Sequence, residues 1–296
     1  MDNRTLSPSS VKSELEEIHI EFHEDFNSPD GDIVLAARDS TLFFRVHSFV
    51  LKTTSSWFRA MLSLPQQQKA IDVIYMDEDH VTLELLLRMI CGLPVSQITD
   101  YDTVDSILFA AEKYEMAGPI SILRLLVMTP PLMNNAFRLY TIACRYNWQA
   151  EAQLASTQTL THNLHDPELR PLLRRLSTDA LLNLLELHHS RKEALRDRLN
   201  KPPFVPSDNI SPTQCNACHC SIDYHTWREL KYRIVSEMEV RPAGDSIVNI
   251  GLTDWPEAKA CWTAKCTNRA CNRALYDELP TRDIIRQVID ELPKSL

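Results

Sequence analysis

Eight cysteines stand in this chain of 296 residues, and six of them fall between 215 and 271. Cys215-Asn216-Ala217-Cys218 has the two-residue spacing that lets two thiolates reach one ion from a tight turn. Cys266 and Cys271 supply a second pair. Four thiolates from two loops would close a tetrahedral structural Zn2+ site, and metal binding would add folding free energy to a segment short of core. The favoured set is Cys215, Cys218, Cys266 and Cys271, with Cys261 upstream of the second pair and His219, Cys220 and His225 as substitutes. Two other readings fit the same residues: reduced thiols buried as small hydrophobes, or a redox pair at 215 and 218. A second metal-like pattern, His19-Ile20-Glu21-Phe22-His23, has no further ligand pair near it and reads as a solvated or weakly paired strand.

Other chemistries are excluded by what is missing. Five glycines stand at 31, 92, 118, 244 and 251, too far apart for a dinucleotide loop, a phosphate-cradling loop or a nucleophile elbow. A RING-type ligase needs eight ordered ligands, which the cysteine pairs do not supply. A zinc deaminase would place proline before its cysteine pair, and Cys215 follows Gln214. No catalytic residue is assigned. A zinc-dependent enzyme is the disfavoured alternative, and it would require an open coordination position.

The net charge is −9, and residues 1–32 carry nine acids against two bases. No run of Lys and Arg appears anywhere, so direct nucleic-acid binding and adsorption to anionic membranes are both disfavoured. No apolar stretch approaches the ~20 residues of a bilayer span. The acidic opening is unlike a signal or transit peptide, so an intracellular, reducing location in cytoplasm or nucleus is expected.

The elements that must position these residues follow from periodicity. Residues 1–26 read as an acidic flexible arm. In 27–130, Asp32–Ala36 and Leu42–Val46 suggest a hairpin, and Ser48–Leu62 a helix with Phe49, Val50, Trp57, Phe58, Met61 and Leu62 on one side. Asp72–Met76 follows as a strand. A helix over Thr82–Cys91 ends at Gly92, another is capped by Asp102 or Thr103 and stopped by Gly118-Pro119, and a last one spans Ile120–Met128. Residues 131–200 read as two to four packed helices, with the leucines of 172–187 as core. Residues 201–212 are a stiff Pro-rich linker. Residues 213–296 form a Cys-rich region with Trp227, Trp255 and Trp262 as its core, closed by a helix over Arg282–Leu292.

The order of blocks in 27–130 resembles a BTB/POZ domain. The resemblance is carried by Gly31-Asp32-Ile33-Val34-Leu35, then Phe44-Arg45-Val46-His47, then Leu51, Ser55, Phe58 and Met61. It continues through Val73–Met76 with the acids Asp77, Glu78 and Asp79, and through Ala110–Met116. The wording at Ser63-Leu64-Pro65-Gln66 and Ala111-Glu112-Lys113-Tyr114 is most similar to the fungal BTB-domain proteins. The fold implied is α+β, a small mixed sheet capped by helices, followed here by an all-helical segment and the Cys-rich region.

The resemblance also implies an interaction scaffold that homodimerises, with Trp57, Phe58, Met61 and Leu62 as candidate interface residues and strand 18–22 exchanged between subunits. The partners implied are a second copy, other proteins and a cullin scaffold. A substrate adaptor of a cullin-type ubiquitin ligase is the alternative role. Its hydrophobic-x-Glu signal is absent from Leu64–Lys69, and Ser48 stands where many relatives carry a basic residue after the histidine. His47 reads as a capping or core histidine, and Asp32 as a carboxylate satisfying nearby backbone donors.

Overall fold

β-Branched and aromatic residues build the first structural layer. Strands β1 (Glu21–Asn27), β2 (Ile33–Ala36), β3 (Leu42–Val46) and β4 (Val73–Tyr75) form one mixed sheet in the order β1-β3-β2-β4. β2 and β3 are an antiparallel hairpin in which Leu35 faces Phe44, while β1 runs parallel to β3 and β4 parallel to β2. These coordinates are a computed structural model that describes residues 21–38, 41–64, 73–130, 132–205, 214–215 and 217–296. Most of the expected acidic arm, the loop from Pro65 and most of the Pro-rich linker lie outside the described residues. So do residues 18–20 of the strand expected to exchange. Glu21 and Phe22 of that strand pair instead with Leu42 and Phe43 of their own chain.

Helices follow the sheet: α1 (Ser48–Thr54), α2 (Ser56–Met61), α3 (His80–Cys91), α4 (Tyr101–Lys113) and α5 (Ala117–Leu126). α3 packs on α1, α4 and α5. The single helix expected over 48–62 is two helices, because Ser55 leaves the helical region and caps α2. Its Oγ accepts from the Phe58 N–H at 3.0 Å and donates to the Tyr114 carbonyl at 2.5 Å. A serine hydroxyl offers the backbone an alternative partner, which is why serine favours caps over helix interiors. Asp100, rather than Asp102 or Thr103, caps α4 by accepting from the Thr103 N–H at 2.8 Å. Gly118-Pro119 does not stop that helix either. Glu115, at φ 52°, marks the turn, and Pro119 sits in the first turn of α5, where a missing N–H costs nothing. Gly92, at φ 69°, ends α3 as expected.

Residues 1–127 and 128–296 are two separate compact units. The second contains α6 (Ala136–Arg145), α7 (Gln149–Thr159), α8 (Arg170–Leu173) and α9 (Thr178–Leu199). It continues with α10 (His225–Val240), α11 (Leu252–Asp254), α12 (Pro256–Thr263) and α13 (Glu278–Glu291). α6 and α7 form a hairpin, and α9 packs on α10 and α13. Leu195 and Leu199 of α9 share one core with Trp227, Leu230, Ile234, Ile285 and Ile289, so the helical segment and the Cys-rich region are packed together. Trp255 and Trp262 are only half-buried against that core. Phe204, from the expected linker, is buried and stacks on Trp227 at 5.3 Å. Of the leucine run, Leu184 and Leu187 face inward while Leu182 and Leu185 are exposed, since a continuous helix can bury only one stripe. No helix among the described residues is long and apolar enough to cross a membrane.

Candidate metal centre and interaction surface

Two short loops bring the cysteines together. In the first, an isolated bridge joins Gln214 to Ser221, and the Cys215 N–H donates to the Cys220 carbonyl at 2.9 Å. In the second, Lys265 bridges Ala274, and the Cys266 N–H donates to the Arg273 carbonyl at 2.8 Å. Each pinched loop delivers two thiols, and the sulfurs of Cys215, Cys218, Cys266 and Cys271 all lie within 4.8 Å of one another. The shortest cross-loop separations are 3.6 Å for Cys218–Cys266 and 3.8 Å for Cys215–Cys271. A tetrahedron with metal–sulfur bonds of about 2.3 Å has edges of about 3.8 Å. All four residues of the favoured set therefore form one cluster that could hold a metal ion.

The loops also share a backbone device. Cys215 accepts a hydrogen bond from the N–H of Ala217, Cys218 from Cys220, Cys266 from Asn268, and Cys271 from Arg273. Every cysteine is thus met by the amide two residues further on. The residue after the second cysteine of each loop is left-handed, His219 at φ 55° and Asn272 at φ 45°, which turns the next amide back toward the sulfur. Amides aimed at thiolate sulfur orient the donors and offset their charge, as outer-shell partners do in metal sites. The spacing of the cysteines was legible in the sequence, whereas these left-handed positions were not. Asn and His tolerate that region better than most residues, and that was the one available signal.

The electrostatics are those of four acids sharing one small volume. The Cys220 amide holds the Cys218 thiol down to about 6, and the amides of Ala217 and Cys218 also lower that of Cys215. Cys266 and Cys271 are raised despite their own amide donors, because burial and the neighbouring sulfurs oppose further charge. Four thiolates this close would need a cation among them, and a divalent ion could supply it.

Cys261 and the expected substitutes are not part of the four-sulfur cluster. Cys261 is buried in the core of the second unit, and burial pushes its thiol up to about 12. His225 begins α10 with its Nδ1 3.8 Å from Asp223. His219 serves as a turn residue, and the Cys220 thiol accepts from the Asn268 side chain at 3.5 Å.

In the first unit the four proposed interface residues divide. Phe58 is 1% exposed, locked between Trp57 and Tyr114 with ring centroids at 4.8 and 5.5 Å, so it belongs to the interior of its own chain. Trp57 is 37% exposed, and Met61 and Leu62 are half-buried. Phe49 of α1, counted with the apolar side of its helix in the sequence, is 75% exposed. Around these helices the polar residues settle the loops. Asp32 accepts from the Ser48 N–H at 2.7 Å and from its hydroxyl at 2.5 Å. Burial opposes its charge, but these bonds hold its carboxyl below the usual range. Asp32 therefore caps α1, while His47 makes no side-chain cap bond.

Residues 25–125 match the family described as the BTB/POZ domain. They are a BTB/POZ domain. The match covers about a third of the chain, and no curated protein matches the chain. BTB/POZ domains are interaction modules, and this domain supports a role in protein–protein interaction. Within this domain the buried Glu78 ties β4 to α4, accepting from the Tyr114 hydroxyl at 2.5 Å and from Lys113 at 3.0 Å. Lys113 also reaches Asp77 at 2.8 Å. Asp77 and Glu78 of the acidic triplet after β4 therefore form one network with Lys113 and Tyr114, while Asp79 caps α3.

Proposed function

We propose that the chain is an interaction scaffold whose BTB/POZ domain homodimerises and whose four-cysteine cluster holds a structural Zn2+ ion. The dimer reading is supported by apolar surface that the small sheet and its helices leave uncovered, with Phe49 and Trp57 among its members. Such area is costly in water and is relieved by a symmetric partner. The zinc reading is supported by the four-sulfur geometry, since tetrahedral all-thiolate sites suit zinc, and four protein donors leave no open position for catalysis. Reduced thiols imply a reducing, intracellular setting. The fungal affiliation rests on sequence wording alone, and no observation here favours the cullin-adaptor role.

Native mass spectrometry of the intact chain tests both parts at once. A mass of two chains with one zinc ion per chain is expected, and Phe49→Glu with Trp57→Glu should return the mass to one chain. A metal-free monomer at high concentration would defeat the reading.

A further inference from the structure

We propose that the Cys266–Cys271 loop presents a basic face that binds the phosphodiester backbone of a nucleic acid. From Ala258 to Tyr276 the chain holds Lys259, Lys265, Arg269 and Arg273 and no acid, and the facing stretch from Gln214 to Ile222 adds His219 and again no acid. In the sequence these cations are spread from 259 to 273 and make no run. The loop folds back on itself and brings Lys265 beside Arg273, with Lys265 bridged to Ala274 and the tip at Asn268–Cys271 closed by the Asn268 side chain accepting from the Ala270 N–H at 3.0 Å, while Lys259 lies upstream on α12.

Several arginines of the same unit are matched to acids: Arg228 to Asp223, Arg233 to Glu237, Arg241 to Asp245 and Arg282 to Glu278. Lys265, Arg269 and Arg273 are exposed and have no acid in ion-pair reach among the described residues, and Lys259 meets Asp254 only at 4.0 Å. The unit as a whole carries 21 basic against 20 acidic residues, while residues 1–127 carry 10 against 20. The segment over the sulfur cluster is thus one of the acid-free stretches of the second unit, with Lys265, Arg269 and Arg273 exposed on it.

The neighbouring side chains decide the class of polyanion. An acidic protein partner needs an apolar anchor to seat in a pocket. The loop offers none, since its exposed residues besides the cations are Thr267, Ala270, Asn272 and Ala274. A nucleic-acid backbone needs only cations and hydrogen-bond donors held in a fixed array, because phosphate contacts supply affinity and position without apolar burial. The exposed Asn272 side chain provides a donor beside the cations. The proposal rests on the metal reading for the shape of the loop, so metal content is measured alongside binding.

The test is fluorescence anisotropy with the full chain and a labelled single strand of about 20 nucleotides, from about 25 to about 200 mM salt. Binding should weaken with a logarithmic salt slope of about −3, the release expected from about four phosphate contacts on a single strand. The triple variant Lys265→Ala, Arg269→Ala, Arg273→Ala should keep its metal and melting temperature while binding at least about tenfold more weakly, with a slope near −1. The proposal is overturned if the metal-loaded wild type does not bind at low salt, or if the triple variant binds equally well. It is equally overturned if polyglutamate of matched charge competes as strongly as the strand. Loss of metal in the triple variant would also overturn it, by making the cations counter-charges for the thiolates. A wild-type chain without metal would instead sink the zinc reading, and binding that persisted in it would leave the basic face standing.

Discussion

His188 and Arg191 sit one turn apart on α9 and resolve burial in opposite ways. His188 is buried with its Nε2 3.2 Å from the Thr159 hydroxyl. Burial first, then Arg191, His162 and His165, push its imidazole from 6.5 down to about 4, so the folded protein holds it neutral. The unfolded chain binds that proton near 6.5 and the folded one only near 4. Stability is therefore full above pH 6.5 and falls as acid is added, by up to about 3 kcal/mol once pH reaches 4. Thermal unfolding of the second unit followed from pH 7 to pH 4 should show this decline, and His188→Gln should flatten it. Arg191 keeps its charge by donating to the carbonyls of Pro242, Ala243, Leu292 and Pro293. Arg191→Met would leave that group of acceptors buried without a donor and cost on the order of 3 kcal/mol, measurable by denaturant titration. Neither role was legible in the sequence, because a helical His or Arg looks the same whether it faces solvent or the core.

At the scale of elements, the sequence carried existence and type better than boundaries. Strands β2, β3 and β4, the helices of the first unit and the last helix were announced by alternation and by stripes, but α10, α12 and the break at Ser55 were not. Leu51 and Phe58 lie on one apolar stripe that runs across it, and periodicity alone cannot see a hydroxyl turning inward to a carbonyl 59 residues away. Ser55→Ala removes a cap and strands the buried Tyr114 carbonyl. A loss of about 2 kcal/mol from the first unit is expected in its unfolding midpoint. The four cysteines were legible from spacing, since 215, 218, 266 and 271 form the cluster. The amide hydrogen bonds that position them depend on two left-handed residues whose types only permit that conformation.

At the scale of the molecule, the chain divides into an acidic BTB/POZ unit and a nearly neutral helical unit whose core runs from α9 into the last helix. The shared core was not legible, because the prolines after Lys201 read as a spacer and give no sign that Phe204 reaches Trp227. If the cysteine cluster holds metal, its free energy belongs to the second unit alone. Cys218→Ser, or a strong chelator, should lower only that unit's melting transition in differential scanning calorimetry and leave the other in place. A uniform downward shift of both transitions would contradict this division.

An all-sulfur donor set has a chemical preference of its own. Thiolates are soft ligands, and they hold cadmium or cuprous copper more firmly than zinc. The place where residues 215–218 meet 266–271 is therefore where toxic soft metals would lodge in this protein. Their thiolate absorption in the ultraviolet would report the exchange without any label.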